Sequence, residues 1–513
     1  MTVKVSSIGL KGLEGYRVQV EVKISSGTES MVIVGLPDAS VKESRERVLS
    51  AISHFAVDVT DQKVVVNLSP SEQKKNGPIF DLAIAIATLK ELNVIHEDIR
   101  TETAFMGALS LDGTIVKVEG MLPALISAKV LGLHRVYLPY DPSIPIHMFQ
   151  DIECILVHHI EEVVQHLDGQ EQLSFLQQHK PTEQQPSLFT EPHHQKDFSH
   201  VIGHDQAKRA LEIAAAGEHN VLMSGPPGCG KSMLAETFPS ILPTISNQAQ
   251  LEVLSLYQLA GENGRLTQTV PFRHPHHSAS SVAIIGGGSN PRPGEISLAH
   301  KGVLFLDEIA EFTKKTLDML RQPLETGKVT ISRAHSTVTY PSSFILLGAM
   351  NPCPCGHYGS NNHYCTCSGK QIQTYRNRLS GPIYDRIDIL LSLQSVHLDQ
   401  SIKSRENSLD VRKRVEKARQ YQYQRYQSEI TNAKVPFDTI IQTSPLTDQQ
   451  QKLLMTLASK ENWSNRVQIK IIRLARTISD LAEEKQITDA SIWEAMTLRR
   501  MGKPKQQVIA RET

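Results

Sequence analysis

The sequence predicts an α/β protein: an N-terminal α/β domain, a second α/β domain built on a parallel sheet, and a helical C-terminal segment. Three observations predict it. Short β-rich runs alternate with helical periodicities from Val3 to about Ile160, an apolar strand runs into a glycine-rich turn and a helix at Gly225, and apolar residues recur at helical spacing from about Ser404.

In the first segment the strands are expected at Arg17 to Val22, Ser30 to Val34, Lys63 to Leu68 and Arg135 to Leu138. The helices are expected at Ser40 to Ser53, Ile79 to Leu89 and Leu122 to Leu131. Between about Gly169 and Lys196 the chain turns to Gln, His and Pro with few large apolar residues, the composition of a linker. The strands Asn220 to Met223, Val303 to Leu306 and Ser343 to Ala349 then follow at the spacing of a parallel α/β sheet. Candidate helices at Val411 to Gln427, Thr447 to Ser459, Arg466 to Ala482 and Thr488 to Arg500 form a lid. The expected boundaries are 1–165, a linker at 166–196, a core at 197–400 and the lid at 401–513.

Composition limits the partners. Lys plus Arg equals Asp plus Glu at 54 each, so any contact with nucleic acid must come from local patches. No export signal is legible at Met1 to Leu10, and no stretch approaches the roughly 18 apolar residues of a membrane span, so a cytoplasmic protein is expected. Four of the six cysteines cluster (Cys353, Cys355, Cys365, Cys367), which in that compartment points to a metal more than to disulfides.

Gly225-Pro226-Pro227-Gly228-Cys229-Gly230-Lys231-Ser232 follows an apolar strand and opens a helix, the context a phosphate-binding loop requires. Glycines let backbone N–H groups converge on phosphates, Lys231 reaches the terminal phosphates and Ser232 helps hold Mg²⁺. Val303-Leu-Phe-Leu-Asp307-Glu308 reads as a buried strand ending in two carboxylates, Asp307 toward Mg²⁺ and Glu308 toward the attacking water of ATP hydrolysis. Asn351 lies just past the next strand. It either orients that water or simply begins an Asn-Pro turn.

Phosphoryl transfer gains rate from an arginine on the developing charge, which ring ATPases take from a neighbouring subunit. Arg386 is the first candidate and Arg378 the second. Arg466, Arg473 and Arg476 recur on one helical face, with Arg466 at the helix start able to touch nucleotide within its own subunit. Lys328 to Thr339 alternates polar and apolar residues about a polar centre, the signature of a hairpin with a basic tip; Lys328 and Arg333 would touch DNA phosphates, with a solvated loop as the competing reading. The basic, tyrosine-bearing helix Val411 to Gln427 reads as an ordinary solvated face. His274, His276 and His277 read as a polar loop with no ligand role. The four cysteines match the count of a closed tetrahedral Zn²⁺ site, but Cys-x-Cys is tighter than the usual Cys-x₂-Cys, so zinc and free thiols both stand, with His357 and His363 as substitute ligands.

With those residues in place, the chain resembles the ComM/YifB family of magnesium-chelatase-like AAA+ ATPases. The supporting strings are Pro271-Phe-Arg-His-Pro-His-His-Ser, Gly286-Gly-Gly-Ser-Asn-Pro-Arg-Pro-Gly-Glu, Val303 to Glu308, Asn351-Pro-Cys-Pro-Cys-Gly, Leu379-Ser-Gly-Pro and Ala475-Arg-Thr-Ile-Ser-Asp-Leu. The resemblance implies a hexameric AAA+ ring with Asn351 as sensor one, Arg386 as finger and Arg466 as sensor two, and DNA branch migration in natural transformation. A chelatase-type motor acting on a tetrapyrrole and a protein-remodelling ATPase are the alternatives. The N-terminal domain resembles the proteolytic domain of Lon, but Ile79 and Pro123 stand where that pattern puts its serine and lysine, so no protease activity is expected.

Overall fold

The computed structural model describes residues 3–28, 30–55, 57, 61–169, 196–262, 268–288, 291–333, 336–359, 363–395 and 406–500. Apart from 166–169 and Lys196, the expected linker lies outside the described residues. The chain forms two compact units, the first from Met1–Thr190, Asn247–Thr267 and Ser332–Thr339, the second from Glu191–Ser246, Gln268–Ile331 and Tyr340–Thr513. No described helix is long and apolar enough to cross a membrane.

The first unit is a seven-stranded sheet in the order Ser30–Val34, Gln62–Ser69, Glu14–Ser26, Val3–Lys11, Thr103–Phe105, Arg135–Pro139, Glu153–Val157. Three of these strands, Val3–Lys11, Thr103–Phe105 and Glu153–Val157, go beyond the runs read from the sequence. Val3–Lys11 and Glu14–Ser26 pair antiparallel from Val3↔Val22 to Lys11↔Glu14 around a turn in which Gly12 takes a positive φ. Helix Asp81–Glu91 is buried from Asp81 to Leu89, which explains why it is apolar on every side. Its one buried carboxylate, Asp81, is ion-paired to Arg47 Nε at 2.7 Å. Helix Asn247–Ala260 joins this unit: Leu254 is part of its core, and Gln258 Nε2 donates to Ser143 Oγ at 3.1 Å. Ile79 and Pro123 are both buried.

The second unit is built on five parallel strands in the order Phe272–Arg273, Val303–Leu306, Ile345–Met350, Val221–Ser224, Ile389–Ser392. The three inner strands bury nearly every residue, which explains their unbroken apolar runs. Asn220 ties them at the opposite end from the phosphate loop: its Oδ1 accepts from Leu346 N at 2.9 Å and its Nδ2 donates to Arg386 O at 3.0 Å.

Four of the C-terminal helices are Ser408–Tyr426, Asp448–Glu461, Asn465–Leu481 and Asp489–Arg499, within one to three residues of expectation. Each begins where a side chain caps it: Asn407, Thr447, Ser464 and Thr488 accept from the first turn. Helix Phe437–Thr443 was not legible beforehand. Three of the six basic residues of Ser408–Tyr426 face inward. Arg412 bonds Ser240 O, Arg419 bonds Ala215 O and Glu218, and Arg425 pairs with buried Asp480. Arg476 is fully buried and donates to Asp480 Oδ1 at 3.0 Å, so the basic face expected at Arg473 and Arg476 is structural.

A buried charge cluster joins the strands to the helices. Asp388 accepts from Asn220 N at 2.9 Å, sits 3.7 Å from His219 Nδ1 and is ion-paired to Lys470 of helix Asn465–Leu481. Burial alone would raise its pKa, but the Lys470 charge and the His219 hydrogen bond hold the carboxyl well below the usual range. A carboxylate depressed in the folded state adds stability above its unfolded pKa of about 3.9 and loses it as pH falls further. Asp388→Ala is therefore expected to lower the unfolding free energy of this unit by about 3–5 kcal/mol, because Lys470 is left buried and unpaired. Denaturant unfolding measures it at neutral pH; a change below about 0.5 kcal/mol would mean the cluster is not a tether.

Candidate functional site

The site lies where strands end. In an open parallel sheet, ligands bind outside the carboxyl ends, at the point where strand order reverses. Here that point is strand Val221–Ser224, flanked by Ile345–Met350 and Ile389–Ser392. Three neighbouring strand ends carry the expected residues: Gly225 after Ser224, Asn351 after Met350 and Asp307 after Leu306.

The phosphate loop is shaped by its glycines. Gly228 and Gly230 take φ of +74° and +87°, which an L side chain resists, and a Cβ on Gly225 would stand 2.8 Å from Leu393 O. Gly225 N donates to Met350 O at 3.2 Å, fixing the loop to the adjacent strand end. Helix Lys231–Thr237 begins at Lys231 and aims its first N–H groups at the loop. Buried Lys231 donates to Gly225 O at 2.7 Å, Pro226 O at 2.9 Å and Asn351 Oδ1 at 3.2 Å. Burial pulls its pKa below the ordinary lysine value, opposed by Cys229, Asp307 and Glu308.

Ser232 Oγ donates to Asp307 Oδ2 at 3.0 Å, bringing together the two residues expected at Mg²⁺. This hydroxyl–carboxylate pair beside a lysine and converging backbone donors fits a magnesium-bound triphosphate: oxygen ligands for a hard cation, N–H and ammonium donors for phosphate. Glu308 takes the left-handed conformation, φ +48°, a local strain of the kind found at functional sites. The turn leaves its side chain 54% exposed, free to meet a water.

One residue at this edge was missed. His277 Nδ1 stands 3.5 Å from Glu308 Oε2, and His277 also meets the edge of Phe312. The His-Pro-His-His string looked like an isolated loop because the strand before it, Phe272–Arg273, has only two residues, too few for a periodicity. Since that strand pairs parallel with Val303–Leu306, the residues after it emerge at the same edge as Asp307 and Glu308.

Other expected residues lie apart from the phosphate loop's contacts. Arg386 Nη2 pairs with Glu325 at 2.7 Å and is 15% exposed; Arg378 Nη1 pairs with Glu311 at 2.6 Å and is 50% exposed. Arg466 is exposed in the first turn of helix Asn465–Leu481. Strands Lys328–Arg333 and Ser336–Pro341 pair as the expected hairpin, but exposed Lys328 begins its first strand, so it lies at the base and not at the tip. The Arg333 side chain lies outside the described residues. Cys353, Cys355, Cys365 and Cys367 converge, all four sulfurs within 4.8 Å of one another. The rings of His357 and His363 lie 4.7 Å apart, tilted by 44°.

Comparison with known proteins shows the family. The chain fits the family described as magnesium chelatase, subunit ChlI, over residues 197–401, with subunit ChlI of Mg-chelatase at 20–141 and the ChlI C-terminal family at 405–499. It is 38% identical to YifB of Escherichia coli (strain K12) over 494 residues, 95% of each chain. It is 37% identical to competence protein ComM of Haemophilus influenzae over 496 residues, 96% of each. The chain belongs to the ComM/YifB family of magnesium-chelatase-like proteins. Its core is therefore that of an AAA+-type motor. Similarity to the magnesium-chelatase 38 kDa subunit of Cereibacter sphaeroides is narrower, 24% identity over 174 residues, covering 30% of this chain and 52% of that one.

Lys231→Ala is expected to weaken binding of a fluorescent ATP analogue with Mg²⁺ by about 10- to 100-fold, the worth of one charge-assisted hydrogen bond to phosphate. Fluorescence titration measures it. Unchanged affinity would remove Lys231 from the site.

Proposed function

We propose that this ComM/YifB-family chain is an ATP-hydrolysing ring motor, a hexamer, that remodels branched DNA. The observation that carries the ATPase reading is the alignment of Lys231 and Ser232, Asp307 and Glu308, and Asn351 on three adjacent strand ends. The DNA reading is supported by likeness over nearly the whole chain to a competence protein.

Each residue has a defined task. Backbone N–H groups of the loop and the Lys231 ammonium hold phosphate oxygens, while Ser232 Oγ and Asp307 hold magnesium. Bound magnesium supplies positive charge against the charge that develops on phosphate oxygens. Lys231 then leaves the carbonyls of Gly225 and Pro226, which it holds here, for the phosphates. The Glu308 carboxylate accepts a proton from the attacking water, and the Asn351 amide orients that water. His277, facing Glu308, positions the carboxylate. Arg386 is the first candidate for a finger acting on the neighbouring subunit, which requires it to exchange Glu325 for phosphate; Arg378 is the second and more exposed. Arg466 reaches nucleotide from the lid.

The first unit acts as a scaffold. With Ile79 and Pro123 buried where a serine and a lysine would be needed, it has no nucleophile–base pair at those positions and no peptidase activity is proposed for it.

Branch migration and strand displacement by the wild type, compared with Glu308→Gln, test the function directly. Glu308→Gln is expected to retain nucleotide binding while losing about 100-fold or more in turnover and all DNA remodelling. Turnover stimulated by casein or a porphyrin but not by forked DNA would favour a protein or tetrapyrrole substrate. His277→Ala is expected to lower turnover about 3- to 10-fold with nucleotide affinity unchanged; equal turnover would mean the histidine is incidental. Replacing Lys328 and Arg333 with Ala is expected to cut DNA-stimulated ATPase while sparing the basal rate, and equal loss of both would contradict the contact.

A further inference from the structure

The cysteine cluster grows directly from the sensor strand. Asn351 directly follows strand Ile345–Met350, and Cys353 comes two residues later, fully buried. From there the chain turns through Cys355 and Gly356 and returns through Cys365 and Cys367 to Ser368, which caps helix Gly369–Arg376. Three of the sulfurs meet side by side, Cys353 to Cys355 at 3.3 Å, Cys353 to Cys365 at 3.7 Å and Cys355 to Cys365 at 3.6 Å, and the Cys367 sulfur lies within 4.8 Å of each. A tetrahedral Zn²⁺ with bonds of about 2.3 Å has sulfur–sulfur edges of about 3.8 Å, so the cluster already has nearly the dimensions the ion imposes. Four thiolates leave no coordination position open, which makes such a site structural. An outer contact is also present, since Tyr358 N donates to Cys353 Sγ at 3.3 Å. Arg376, in the capped helix, lies 5.4 Å over the Tyr358 ring and closes the turn from outside.

The same turn leans on the phosphate loop. Gly356 takes φ +82°, and a Cβ built there would stand 2.7 Å from Cδ and 2.8 Å from Cγ of Pro227. Only glycine lets the knuckle lie this close. Its other end is fixed by Gly356 N donating to Cys353 O at 3.0 Å, so the position of the contact on Pro227 follows from how Cys353 and Cys355 are held.

We propose that Cys353, Cys355, Cys365 and Cys367 bind one Zn²⁺ as a closed tetrathiolate site, and that this knuckle braces the phosphate loop through Gly356 against Pro227. The ion ties the turn from Cys353 to Gly356 to Cys365 and Cys367 before the Ser368 cap, and so sets both the sensor and one wall of the loop. Its bracing part rests on the nucleotide-site reading above; its metal part does not.

Two measurements on the full-length protein separate these parts. Metal analysis of the purified wild type is expected to find about one zinc per chain, sharply reduced in Cys365→Ser, and Co²⁺ substitution is expected to give the absorption of a tetrahedral thiolate site. Wild type without bound zinc, or a Co²⁺ spectrum lacking thiolate bands, overturns the site whatever the protein does with ATP. For the brace, affinity for a fluorescent ATP analogue is compared in wild type as purified, stripped by a chelator, and reloaded with Zn²⁺, beside Cys365→Ser. Stripping is expected to weaken binding about tenfold and reloading to restore it, so a variant that fails to fold does not decide the matter. Equal affinity in loaded and stripped protein overturns the brace. If the loaded protein binds no nucleotide, the brace falls together with the nucleotide reading, while the zinc content still judges the site.

Discussion

The hydrogen bond from Ser232 to Asp307 is the contact around which the second unit is organised. It joins the helix after the first core strand to the end of a strand that is not its neighbour, with Ile345–Met350 between them. That reach is possible only because three strands run parallel and finish level, which in turn requires them to be buried on both faces. Lys231 makes the complementary link to the middle strand through Asn351. Groups distant in sequence thereby converge on one small volume with opposite charges in place: ammonium and N–H donors on one side, carboxylates on the other.

Everything else in this unit supports or limits that convergence. Asn220 holds the far ends of the strands together, so the near ends stay level. Asp388 and Lys470 fasten the helical segment to the last strand by a charge pair whose burial makes it costly to break. The strained Glu308 turns its carboxylate out of the strand line, where His277 meets it. The cysteine knuckle presses Gly356 onto Pro227 from the side of the sensor.

Much of this was legible in the sequence, and the reason is physical. Buried parallel strands read as continuous apolar runs, so Val303–Leu306 announced itself together with the carboxylates at its end. The glycine pattern before Lys231 admits few other backbones. The lid helices were visible because their caps and apolar spacing agree. Illegible parts were those without local signals. Strand Phe272–Arg273 is too short to show a period, and with it went the placement of His277. The inward course of Arg412, Arg419 and Arg425 depends on partners 172, 204 and 55 residues away, so a helix that looked solvated turned out to be pinned to the core. Helix Asn247–Ala260 packs with the first unit although its sequence neighbours belong to the second, which no local pattern encodes.

On the function proposed above, the carboxyl edge of the parallel sheet receives a magnesium-bound nucleoside triphosphate. An experimental structure of the chain with a non-hydrolysable ATP analogue and Mg²⁺ tests it most directly. The phosphates are expected to be cradled by Gly225 to Ser232, with the Lys231 amine moved from the carbonyls of Gly225 and Pro226 onto them and the ion held by Ser232 and Asp307. Nucleotide seated elsewhere, or Lys231 still bonded to its own loop beside a bound triphosphate, would contradict it.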